Sequence, residues 1–139
     1  MADLWKEYCY ADSRYAWGES FIVTMEAVTG FLWGPLCFVI AYGMATSATW
    51  RYPLMLVVSL GQWYGCVLYF LTTIYEGTGD VRPEPIYFYG YFIAMNLIWI
   101  FVPMLAMWHA GHRVALLTRA GERESGFSRK GAGKGKKKN

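Results

Sequence analysis

Glu26, Thr29 and Trp33 stand at i, i+3 and i+7 inside a long apolar run, FIVTMEAVTGFLWGPLCFVIAY, residues 21–42. On a helix this spacing puts a carboxyl, a hydroxyl and an indole on one face. Asn96, Trp99 and Pro103 repeat the spacing in another apolar run, and Gln62, Gly65, Cys66 and Tyr69 share a face in a third. A carboxyl in a low-dielectric setting holds its proton more tightly and so has one to give. Indole faces attract cations. Together such groups suit chemistry that protonates an apolar substrate and shelters the carbocation that forms. A plainer account exists for each polar group. Glu26 lies about one and a half turns inside its run and would snorkel to an interface, although its stem is short for that. Gln62 and Asn96 would serve equally well as hydrogen-bonding glue between helices, and for these two both readings stand. His109 and His112, at i and i+3, have no third ligand nearby and read as interfacial residues, not a metal site.

The elements that must position these residues are set by composition. The chain has 139 residues, 55% of them hydrophobic and 19% aromatic, with seven Trp, eleven Tyr and eight Phe. The apolar residues fall into three blocks, Phe21–Tyr42, Pro53–Ile74 and Ile86–Trp108. At about 1.5 Å per residue each block makes a helix of roughly 33 Å, close to the ~30 Å thickness of a bilayer's hydrocarbon core. A soluble bundle is excluded, because three helices apolar all round leave no polar shell to cover them. The predicted fold is therefore an all-α membrane protein with helices over about 21–42, 53–74 and 86–108. Their inward stripes would line a cavity within the bilayer. Tyr42, Trp50, Tyr52, Tyr75, Tyr87 and Trp108 cluster at the block ends, where amphipathic rings sit at headgroup level. Gly34-Pro35 and Pro103 predict kinks.

Charge divides the chain. Net charge is +3, but nine of the 13 Lys and Arg lie from Arg113 onward, with only two acids. Residues 113–139 read as a basic tail that begins as a helical extension and ends disordered. The positive-inside rule puts it in the cytosol. Its GAGKGK run lacks the spacing, strand and helix of a phosphate loop. Anionic lipid headgroups, not nucleic acid, are the partner this charge suits. The terminal Lys136-Lys137-Lys138-Asn139 is similar to the dilysine retrieval signal of endoplasmic-reticulum membrane proteins. Cys9, Cys37 and Cys66 form no C-x-x-C pair and read as packing residues.

The motifs KEY, DSRY, MEAVT, LWGP, GQWYG, LYFLT and MNLIW occur in order between Leu4 and about Ala110. In these the chain resembles the emopamil-binding protein family, the sterol delta-8 to delta-7 isomerases of the endoplasmic reticulum, within the wider EXPERA group that includes the sigma-2 receptor. The resemblance implies a cofactor-free isomerase that moves a sterol ring double bond through a cation. It also implies binding of cationic amines that imitate that cation, and a protein capable of homodimerising. Glu26 matches the family's acid/base carboxylate, Thr29 and Asn96 the polar residues around it, and Trp99 the tryptophan that steadies the cation. Tyr8 and Tyr15, with Asp12 and Arg14 between them, match residues closing the pocket ahead of that helix. With Trp33, Gln62 and Tyr69 from the stripes, Tyr8, Asp12 and Tyr15 complete the expected substrate-binding set. The family has five membrane helices. The resemblance thus implies that the chain corresponds to the C-terminal part of such a bundle, without the histidine and second carboxylate of the family's second helix. Residues 1–20 would then be lumenal, 21–112 the transmembrane domain and 113–139 the cytosolic tail. The alternative is a non-catalytic sterol- or amine-binding membrane protein of the sigma-2 type.

Overall fold

A computed structural model describes residues 2–135. The dilysine-like ending at 136–139 lies outside the described residues. Two short helices come first, α1 (Ala2–Ala11) and α2 (Arg14–Trp17), the latter closed by Gly18 in the left-handed conformation at φ 73°. Three long helical stretches follow, and each is long and apolar enough to cross a membrane: Ser20–Ala45, Arg51–Glu76 and Ile86–Glu124. They correspond to the three blocks of the sequence. Each extends past its apolar block at one or both ends, because the flanking polar residues are themselves compatible with helix. Only helices satisfy their own backbone in lipid, which is why these blocks are helical throughout.

The first stretch consists of α3 (Ser20–Val28), a π-helical turn π1 (Thr29–Trp33) and α4 (Gly34–Ala45). The wide turn adjoins Pro35, which has no N–H to donate. One residue earlier, the Gly34 N–H reaches back five positions to the Thr29 carbonyl. Glu19 starts the stretch by accepting the Ile22 N–H with its carboxylate at 2.9 Å. The second stretch is α5 (Arg51–Glu76), which packs most extensively on α6 (Asn96–Gly135). Between them, α6 is preceded by a ten-residue π-helix, π2 (Ile86–Met95). The expected kink at Pro103 is not a break: α6 continues through it with Pro103 buried.

The helix also runs on past Trp108 to Gly135, further into the tail than the sequence suggested. The segment HRVALLTRAGERES is rich in Ala, Leu, Arg and Glu and free of proline, which favours continued helix. The connection Gly77–Pro85 carries one turn of 3-10 helix and folds back over α1. There Asp12 and Val81 form an isolated antiparallel bridge, and the Arg82 N–H donates to the Ala11 carbonyl at 3.0 Å. A core of Ile22, Tyr69, Val81 and Phe92 lies at this end, opposite the tail. Tyr15, Met25 and Phe88 pack around it.

Candidate active site

The site is built where the 2–18 segment lies against the three long helices. Asp12 and Arg14 flank the α1–α2 junction, two residues apart and 1% and 2% exposed. The turn aims both inward. Arg14 donates to the Asp12 carboxylate from Nε at 3.0 Å and Nη2 at 2.7 Å, and its backbone N–H adds a third bond at 3.1 Å. The remaining capacity of the pair is taken up by α5. Tyr69 donates its hydroxyl to Asp12 Oδ2 at 2.5 Å, and Arg14 Nη2 donates to Thr73 Oγ1 at 2.5 Å. The guanidinium also stacks 4.9 Å over the Tyr69 ring. Burial works against the Arg14 charge, but the bonds and charge of Asp12 outweigh it and hold the proton more tightly than usual.

From this pair a line of tyrosines leads to the membrane carboxyl. Tyr15 donates its hydroxyl to Glu26 Oε1 at 3.3 Å. The Tyr8 ring meets the Tyr15 ring edge-on at 5.0 Å, and its hydroxyl is within hydrogen-bonding reach of Tyr15 and Tyr69. On the far side Asn96 donates its amide to the Tyr8 hydroxyl at 2.7 Å and to the Phe92 carbonyl at 2.7 Å. At this helix junction the Asn96 backbone N–H turns to the Ile93 carbonyl three residues back, and its side chain donates to the Phe92 carbonyl. Burial raises both Tyr8 and Tyr15 above the ordinary tyrosine range, so both are neutral hydroxyls able to donate.

The structure thus brings together Glu26, Tyr15, Tyr8, Asn96, Tyr69 and Asp12. It does not bring the other expected residues into this network. Gln62 lies further along α5 and donates to the Cys37 Sγ at 3.6 Å, a bond between helices. The Trp33 indole lies half-buried over Gly61, and Thr29 supplies the carbonyl of the π turn. Trp99 is 51% exposed on α6, at the margin of a stripe whose other two members, Asn96 and Pro103, are buried. Asn96 acts on Tyr8 and not on Glu26 directly. Two open grooves at this end are lined by the 9–16, 78–83 and 88–89 segments, and Glu26, Trp33 and Trp99 line neither of them. His109 stacks 6.0 Å from Tyr52 at the opposite end.

One member of the network, Thr73, falls outside the residues that the sequence singled out, although its position four residues beyond Tyr69 continues the α5 stripe and could have marked it. Arg14 was matched to the pocket-closing residues, but nothing in a polar pre-helix segment says that it is buried.

Comparison with known proteins gives a family and a set of relatives. Residues 1–110 match the family model described as EXPERA (EXPanded EBP superfamily). The 3-beta-hydroxysteroid-Delta(8),Delta(7)-isomerase of Mus musculus is 45% identical over 107 residues, which are 76% of this chain and 46% of that protein. The probable 3-beta-hydroxysteroid-Delta(8),Delta(7)-isomerase of Arabidopsis thaliana is 37% identical over 105 residues, 76% of this chain and 47% of that protein. The protoglabretal synthase of Citrus sinensis is 38% identical over 105 residues, 76% of this chain and 49% of that protein. The chain spans about half the length of these curated relatives.

Proposed function

The chain belongs to the EXPERA family, and from that premise we propose that it carries the proton-transfer centre of a sterol delta-8 to delta-7 isomerase, a multi-pass membrane enzyme of the endoplasmic reticulum with its basic tail in the cytosol. One observation carries the reading. A carboxyl set inside a membrane-crossing helix, Glu26, is met by a neutral tyrosine hydroxyl, Tyr15, that a buried and fully bonded frame holds in place. The identity to proteins named Delta(8),Delta(7)-isomerases supports the choice of substrate class.

The reaction balances without a redox partner. A proton is added at carbon 9 of the delta-8 sterol, the cation stands at carbon 8, and a proton lost from carbon 7 leaves the delta-7 double bond. Glu26 is the group that exchanges the proton. Tyr15 fixes the carboxyl by donating to one oxygen and leaves the other toward the substrate. Tyr8 and Asn96 position Tyr15, and Asp12 with Tyr69 anchors that pair to α5. Trp99 presents its indole face to the cation once substrate lies along α6.

A second reading, non-catalytic binding of sterols or cationic amines, is favoured by the placement of Trp99 outside the network. One experiment separates the two. The full chain, purified in detergent, is given a delta-8 sterol and, separately, a labelled cationic amine. Conversion that falls by about 10²–10⁴ in Glu26→Gln supports the isomerase. Amine binding without conversion in the unaltered chain supports the binding protein and sinks the isomerase reading for this chain.

A further inference from the structure

The end of the molecule remote from Glu26 carries a second polar cluster. Tyr52, in the first turn of α5, is buried, and its hydroxyl accepts from two arginines of different helices. Arg51 donates from Nη2 at 2.8 Å, and Arg113 of α6 donates from Nε at 3.1 Å. Both guanidiniums also lie over the Tyr52 ring, at 4.5 and 5.4 Å. Arg51 Nη1 is tied to the carbonyls of Gly43, in the last turn of α4, and of Ala48 in the connection that follows it. Two cations are therefore drawn to one neutral side chain, against their mutual repulsion.

No carboxylate offsets them. Among the described residues neither arginine has an acidic partner. The sequence has no Asp or Glu from residue 27 to 75 or from 85 to 121, so both helices are acid-free around this cluster. Arg113 Nη1 and Nη2 make no hydrogen bond within the described residues, which leaves one edge of a fork-shaped donor open. The cluster sits where α5 begins and where α6 passes beyond Trp108, the level at which aromatic rings mark the edge of the apolar block.

We propose that Arg51 and Arg113, set by Tyr52, form a binding site for the headgroup phosphate of an anionic glycerophospholipid. The excess positive charge calls for an anion, the open fork of Arg113 matches phosphate oxygens, and the Arg51 charge beside it adds to the attraction. The place at the edge of the apolar block selects an anion anchored in the bilayer over one free in water. The site is independent of the chemistry proposed at Glu26.

The test uses the full chain in detergent, titrated with dioleoyl phosphatidic acid and followed by native mass spectrometry. Dioleoyl phosphatidylcholine and inorganic phosphate are the comparison probes. The expected result is an affinity for phosphatidic acid reduced about tenfold by Arg113→Gln and further by Arg51→Gln with Arg113→Gln. The pair Arg119→Gln with Arg123→Gln, which removes equal charge further along α6, should change it less than about twofold. Arg113 is exposed, so its single variant reads out the site even if loss of the Arg51 bonds disturbs folding. Equal losses in the two double variants would mean diffuse attraction and overturn the proposal. Phosphatidylcholine binding as tightly as phosphatidic acid would overturn it too, as would inorganic phosphate matching the lipid.

Discussion

At the scale of single residues, the frame behind Glu26 depends on the Asp12–Arg14 pair. A buried ion pair contributes little net stability by existing, because desolvation offsets its attraction, but removing one partner leaves a charge stranded in low dielectric. Among the described residues Arg14 has one other anion near it, Glu76 at 3.8 Å and half exposed, which compensates weakly. Asp12→Ala is therefore expected to cost about 3–5 kcal/mol. The Asp12→Ala, Arg14→Ala double variant should cost much less than the two single changes added together. Thermal melting in detergent, run as a double-mutant cycle, measures this. Additive losses would mean that the two side chains stand independently and do not brace Tyr69. The sequence made part of this visible. Asp12, Arg14, Tyr8 and Tyr15 stood out through the family resemblance, but the depth of Arg14 did not, because burial of an arginine at the start of a short helix depends on which distant residues, here Tyr69 and Thr73, come to meet it.

At the scale of elements, periodicity and length made the three spans readable, since a block of 22 or 23 apolar residues has few alternatives. The π-helical turns were less readable. Pro35 announced a disturbance, but whether a helix kinks or widens depends on what packs against it. Here the answer lies in α5. The Trp33 indole, carried at the end of π1, lies so close to Gly61 that a Cβ built there falls under 3.0 Å from its ring carbons. At Gly65, one turn on, a Cβ would meet only Met25 at 3.8 Å. Gly61→Ala should therefore destabilise the chain by about 1–3 kcal/mol through overpacking. Gly65→Ala should be neutral or stabilising, since alanine is the better helix former by about 1 kcal/mol. Melting temperatures of the two variants decide the matter. The reverse order would mean that Trp33 does not hold α4 against α5 and that the wide turn has another origin.

At the scale of the whole molecule, the helices run up, down and up, and the charges are sorted to match. Glu19, Glu76, Asp80 and Glu84 lie at the end where the 2–18 segment closes over Glu26. Arg51, Arg113, Arg119 and Arg123 lie at the other. Three crossings put those ends on opposite faces of a membrane, and the native cysteines let this be tested. Cys37 lies within a span and Cys66 is buried in another, while Cys9 sits in the pre-helix segment, outside the spans. Arg123→Cys places a second reporter beyond the third span. In sealed microsomes a membrane-impermeant maleimide should label position 123 at once and Cys9 only after permeabilisation, because positively charged flanks stay on the cytosolic side. Labelling of both from the same side would require an even number of crossings, and one of the three helices would then have to lie within a leaflet. Labelling of Cys9 alone would keep the three crossings but invert the molecule. The carboxyl network would then sit at the cytosolic leaflet, and the Arg51–Arg113 cluster would face the lumen.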